Sequence, residues 1–224
     1  MAFHRPPRSC VDFGKSTCLT VAALAPKLAA VGSKGRAMPD RLSKAFAAID
    51  AANSAAPTLE NGQPAALLYG HRMTAEVAPL FPAASDILKI AARGQHIERW
   101  LLPRTDYPDG FPGYLNWRRE QARRHAGRVG QIMLDAGYTQ ADADRVGVLL
   151  RKEGIKRDAD VQALEDVICF AFLRHYFADF AVDKDPEHLL KIVEKTARKM
   201  SATGRAKAVV DFALQAPFAA LFTD

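Results

Sequence analysis

An all-α fold is predicted for this 224-residue chain, as a single helical domain over residues 40–224 behind a disordered N-terminal leader, residues 1–39. Three observations predict it. Apolar residues recur at three- and four-residue intervals, the spacing of one helix face. The alternation that marks a half-buried strand is absent, and β-branched residues are scattered. Pro, Gly and Asn-Gly interrupt the pattern at lengths suited to helix connections. With 49% hydrophobic residues, the chain can bury a core without disulfides or a structural metal.

The leader holds Arg5, Arg8, Lys15, Lys27, Lys34 and Arg36 against Asp12 alone, is rich in Ala, Ser and Thr, and is broken by Pro6, Pro7, Pro26, Gly32 and Gly35. That composition resembles an organelle transit peptide, so the expected location is an organelle interior, the mitochondrion ahead of the plastid. A leader that is only a disordered extension would leave the protein cytoplasmic. The apolar run Leu19 to Ala25 is too short, and too soon interrupted by Pro26-Lys27, for a secretory signal. The formal net charge is +6, but residues 40–224 hold 25 basic and 24 acidic side chains, so the basic excess belongs to the leader. No nucleic-acid partner is expected on that ground. Cys10 and Cys18 fall in the leader and only Cys169 in the body, which rules out a disulfide or a cysteine zinc site there. No apolar run approaches the roughly 18 residues of a membrane span, so no membrane association is expected.

The first helix follows Pro39, with Asp40 as its cap and Leu42, Ala45, Phe46 and Ile49 on one face. Pro57 to Pro64, containing Asn61-Gly62, reads as a loop. A second helix, Ala65 to Pro79, carries His71; a third, Ala84 to Leu102, carries His96 and ends at Pro103. Pro103 to Gly113 is long for a helical connection and is a candidate active-site loop. A fourth helix, Tyr114 to Ala136, buries Ala122, Ala126, Val129 and Met133, carries His125 at the edge of that stripe, and stops at Gly137. Helices over Ala141 to Lys152, Val161 to Ala181, Pro186 to Met200 and Gly204 to Leu214 complete the chain.

Histidines at 71, 96 and 125 on faces needed for packing, with Glu165 and Asp166 heading the apolar run Val167 to Leu173, point to a site. Ionisable groups are seldom buried unless paired, hydrogen-bonded or bound to a metal. Imidazole and carboxylate suit a divalent ion, and helices can bring distant ligands to one point. His71, His96, His125 and Asp166 are the candidate ligands. Each has a plainer reading: His71 as a hydrogen-bonded or surface residue, His125 as part of a solvated basic face, Asp166 as a charge favouring the helix N-terminus. His175 reads as a structural hydrogen-bonder, and Trp100, Trp117, Phe170, Phe172, Tyr176, Phe177 and Phe180 read as core. The arginines near His125 would otherwise grip an anion through paired, charge-assisted bonds.

The runs Ala48-Ile49-Asp50-Ala51-Ala52-Asn53, Tyr69-Gly70-His71-Arg72-Met73, Gln95-His96-Ile97, Trp117-Arg118, Leu149-Leu150-Arg151-Lys152 and Gln162-Ala163-Leu164-Glu165-Asp166-Val167 resemble domain of unknown function 4202, over Arg41 to about Arg205. That family implies no activity. More distantly, the order His71, His96, His125, Asp166 is similar to the His-Asp metal phosphohydrolases, which would make the domain His-Asp-like. No aspartate follows His96, where that superfamily has its paired ligands.

The expected function is therefore metal-dependent hydrolysis of a small phosphate ester or related anionic substrate. A divalent ion held by His71, His96, His125 and Asp166 would activate water. Arg72, Arg99, Arg118 and Lys152 would neutralise the substrate, and Glu98 or Glu165 would accept a proton. Two other functions use the same residues: an iron-dependent oxygenase, and a non-catalytic helical module or assembly subunit in which the polar cluster organises the core.

Overall fold

Helix α1 (Arg41–Asn53) begins where Asp40 accepts the Ser43 N–H at 2.7 Å, which satisfies one of the free donors of the first turn. The computed structural model describes residues 40–182 and 184–223. The leader, with its transit-peptide reading and its two cysteines, lies outside the described residues. α1 buries Ala45, Ile49 and Asn53. Asn53 is a polar anchor in that core, since its Oδ1 accepts the backbone N–H of Glu98 at 3.1 Å.

The expected loop from Pro57 to Pro64 closes as a small antiparallel hairpin, β1 (Leu59–Glu60) on β2 (Gln63–Pro64). Asn61 and Gly62 take φ of 51° and 75°, the left-handed pair that a two-residue hairpin turn requires. Strands of two residues have no room to show alternation, so periodicity has nothing to detect there.

α2 (Ala65–Leu80) and α3 (Asp86–Gly94) follow. The third helix stops eight residues short of the expected Leu102, at Gly94, and His96 sits on the turn beyond it. At that point a Cβ on Gly94 would stand 2.5 Å from Cγ2 of Val129, so α3 touches α4 (Gly110–Ala136) with bare backbone. The chain then reverses through Glu98, at φ 50°, into two short 3-10 turns, Arg99–Leu101 and Arg104–Asp106. Arg104 ties the following loop by donating to the carbonyls of Tyr107 and Pro108 at 2.8 and 2.9 Å, and α4 starts at Gly110, earlier than expected.

α4 ends at Gly137 and packs along its length on α5 (Gln140–Arg151), which Thr139 opens with a capping box. α6 (Ala159–His175) comes next, capped by Asp158. The continuous helix expected to Ala181 breaks at Tyr176, leaving α7 (Phe177–Ala181) as a separate short turn. α8 (Pro186–Lys199) and α9 (Ala202–Asp211) close the order, before a 3-10 turn at Ala219–Phe222.

α6 joins two apolar clusters. Its Val161, Leu164 and Val167 pack with Ile49, Met73, Ile90, Val129, Met133 and Leu149 from α1 to α5. Its Cys169 and Phe170 pack with Val193, Ala197, Met200 and Ala208 from α8 and α9. Among the described residues no helix is long and apolar enough to cross a membrane.

Candidate functional site

The turn after α3 brings His96 against α2 and α4. The Tyr69 ring of α2 stacks on the His96 ring, with centroids 4.2 Å apart and planes 14° from parallel, and the Tyr69 hydroxyl donates to Gln95 Oε1 at 2.8 Å. His125 of α4 is buried, at 5% exposed, with its ring centroid 6.1 Å from that of His96. The main chain of Gln95 lies against the His125 ring and favours its protonation, while among the described residues the buried Nε2 has no hydrogen-bond partner. A proton on Nδ1, toward Gln95, would leave the Nε2 lone pair free.

Both imidazoles are held neutral. Burial, then the charges of Arg99 and Lys152 together with His125, push His96 well below the ordinary histidine range. Burial, then Arg99 and Arg124, push His125 down to about 3. Desolvation disfavours the charged ring, and neighbouring cations add to that.

Between these rings and α4 and α5 opens a cleft of ≈ 420 Å³. Arg99, Arg118, Arg119, Arg151 and Lys152 line it, and among the described residues no carboxylate does. Arg99 lies over the Trp117 ring at 4.6 Å. Its turn is fixed to α4 by Trp117 Nε1, donating to the Leu102 carbonyl at 2.9 Å, and by buried Gln121, donating to the Arg99 and Leu102 carbonyls at 2.8 Å each. Arg118 donates to the Tyr114 hydroxyl at 3.2 Å. Among the described residues neither Arg99 nor Arg118 forms an ion pair. Burial, with Arg118 adding to it, lowers the Arg99 pKa, so this guanidinium lacks the anion that would compensate its desolvation.

Lys152, in the left-handed conformation at φ 58° that ends α5, donates to Glu165 Oε2. Glu165 is 3% exposed and also has Lys199 Nζ 3.9 Å from its Oε1. This carboxylate is thus an internal counter-ion, with one lysine on the cleft and the other on the cavity beside it.

The structure brings His96, His125, Arg99, Arg118 and Lys152 into one cleft and places the other candidates elsewhere. His71 is exposed, its Nε2 3.6 Å from Asp50 Oδ2, and Arg93 already holds that carboxylate with two bonds of 2.7 and 2.6 Å. Helical geometry explains this, because His71 sits about 200° around α2 from Tyr69, the residue that faces the site. Asp166 accepts from Ser201 N at 2.8 Å, Ser201 Oγ at 2.6 Å and Gln162 Nε2 at 3.1 Å. It anchors the start of α9, on a different side of α6 from Glu165. Glu98 pairs with Arg128 at 3.2 Å and borders a separate depression, and Arg72 pairs with Glu60 and lies over Tyr176 at 5.0 Å. The four-ligand set His71, His96, His125 and Asp166 is therefore not assembled. Among the described residues no three His, Cys, Asp or Glu side chains gather so as to hold a metal ion.

Tyr69, Gln95 and Lys199 belong to the site and were not singled out from the sequence. Their residue types carry no signal until the helices are packed. A direct consequence concerns Asp166: Asp166→Ala is expected to cost about 1.5 kcal/mol in urea unfolding, through loss of charge-assisted bonds to Ser201, while leaving anion binding in the cleft unchanged. Weakened anion binding in that variant would return Asp166 to the site.

Residues 43–222 match the family model described as Domain of unknown function (DUF4202), and the chain belongs to that family. No curated protein and no solved structure matches it.

Proposed function

We propose that this member of the DUF4202 family binds a small phosphate ester in the cleft and hydrolyses it with His96 and His125 as a proton-transfer pair. The observation that carries this reading is the pairing of two neutral imidazoles with Arg99 and Arg118, cations that have no carboxylate partner among the described residues. A phosphate would supply the missing charge, and guanidinium groups match its oxygens in paired geometry. Lys152 adds a third positive group at the base of the cleft, held in place by Glu165.

In this reading His125 Nε2, which has no hydrogen-bond partner among the described residues, takes the proton of an attacking water as substrate and water enter the cleft. A bound phosphate opposes the burial and cationic repulsion that keep His96 neutral, so the ligand itself draws this ring toward its protonated form. His96 then delivers that proton to the departing alcohol oxygen, while Arg99 and Arg118 stabilise the charge on the phosphoryl oxygens. One water is consumed, and an alcohol and phosphate leave. The donor set does not fit a resident metal as the sequence suggested, nor the iron of an oxygenase, so no step is routed through one.

Calorimetric titration with inorganic phosphate, with phosphate release from phosphomonoesters at neutral pH, tests the reading. Arg118→Met is expected to weaken phosphate binding about tenfold. His125→Gln is expected to lower hydrolysis about a hundredfold with little change in phosphate affinity. Undiminished hydrolysis in His125→Gln would remove its role, and binding without any turnover would make the cleft that of a non-catalytic module.

A further inference from the structure

A second cavity, of ≈ 500 Å³, adjoins the cleft and shares His96 with it. Its character is different. Ile168 and Phe172 of α6, Tyr176 beyond it and Ile192 of α8 form apolar walls, and the stacked Tyr69–His96 pair forms the wall toward the cleft. The Tyr69 and Tyr176 rings stand 6.0 Å apart and tilted by 41°, while Phe172 meets Phe177 edge-on at 5.9 Å. These are walls of ring faces and edges, the surroundings in which another aromatic ring finds its preferred offset and edge-on contacts.

Resting on the phosphate reading above, we propose that the substrate is the phosphate ester of an aromatic alcohol, with its ring in this cavity and its phosphate on Arg99 and Arg118. Three observations converge on it. A mainly apolar chamber and a cleft whose charged side chains, among the described residues, are all cationic share one lining residue, His96, so a ligand filling both turns from apolar to anionic there. The turning point of an aryl phosphate is its ester oxygen, the atom that needs a proton when the bond to phosphorus breaks, and His96 stands beside it. The two spaces together also have the size range of a small-molecule site. Polar residues that line the chamber are already engaged: Glu165 with Lys152 and Lys199, and the Thr196 hydroxyl with the Ile192 carbonyl at 2.9 Å. They make no demand for a polar body in the ligand.

Calorimetric titration of the full chain with inorganic phosphate, glycerol 3-phosphate and phenyl phosphate separates the possibilities. Phenyl phosphate is expected to bind at least tenfold more tightly than the other two. Ile192→Trp, which fills the chamber, is expected to abolish that advantage and leave inorganic phosphate affinity unchanged. Ile192→Ala, which only thins the wall, is expected to reduce phenyl phosphate affinity about threefold and serves if the larger substitution does not fold. Equal affinity for phenyl phosphate and glycerol 3-phosphate would overturn the aromatic assignment while leaving the phosphate site in place. Failure to bind any of the three would overturn the phosphate reading, and this inference with it.

Discussion

Lowering the pH from 7 to 5 is expected to remove about 2 kcal/mol of folding stability through His125 alone, with His96 adding a loss of the same sign. The folded protein protonates His125 only at about 3, whereas the unfolded chain does so near 6.5. Between those values the unfolded state binds more protons. Stability therefore climbs with pH through this window and levels off above the unfolded pKa. The groups that face these rings are Arg99, Arg118, Arg124 and Lys152, all cationic, together with neutral Tyr69 and Gln95, so no carboxylate in contact offsets the trend. Asp158, held low chiefly by Arg145, titrates below the window and does not confuse it. Urea unfolding at the two pH values provides the check. His125→Gln should flatten the difference by about 2 kcal/mol, and an unchanged difference would mean that this ring is protonated in the folded state.

Removing the ammonium that neutralises Glu165 is expected to cost more. Lys152→Met leaves a carboxylate 3% exposed with Lys199, at 3.9 Å, as its remaining cation. Breaking one side of a buried ion pair costs about 3 kcal/mol, mainly through the uncompensated charge left behind. The double variant Lys152→Met with Glu165→Leu should regain most of that loss, because both charges are then gone and an apolar side chain occupies the interior. Equilibrium unfolding of the two single variants and the double closes the cycle. A Lys152→Met protein as stable as the parent would mean that water reaches Glu165 and that the pair is not an interior one.

Much of the helical framework is legible in the amino-acid pattern because local chemistry encodes it. Asp40, Thr139 and Pro186 mark helix starts and Gly137 marks a stop, each within a residue or two of where the structure has it. The breaks at Gly94 and Tyr176 are not local. At the first, Gly94 packs on Val129, and no window of sequence around Gly94 contains that residue. The same distinction separates the site residues. Arg99, Arg118 and Lys152 could be named as anion-binding groups from charge and neighbourhood, and the structure places all three on one cleft. The metal ligands could not be sorted, since His71 and Asp166 differ from His96 and His125 only in which way their helix faces and in distant partners, Asp50 and Ser201. Phe172 and Tyr176, read as core from helical spacing, instead line a cavity, which periodicity does not distinguish from packing.

The contact at Gly94 has a bearing on redesign. α3 and α4 meet here main chain to side chain, two residues before His96 and four residues after His125. A side chain added at Gly94 would have to displace Val129, so that junction leaves little room for substitution. Redesign of the apolar cavity belongs instead on Ile168 and Ile192, whose side chains line it and take no part in that junction.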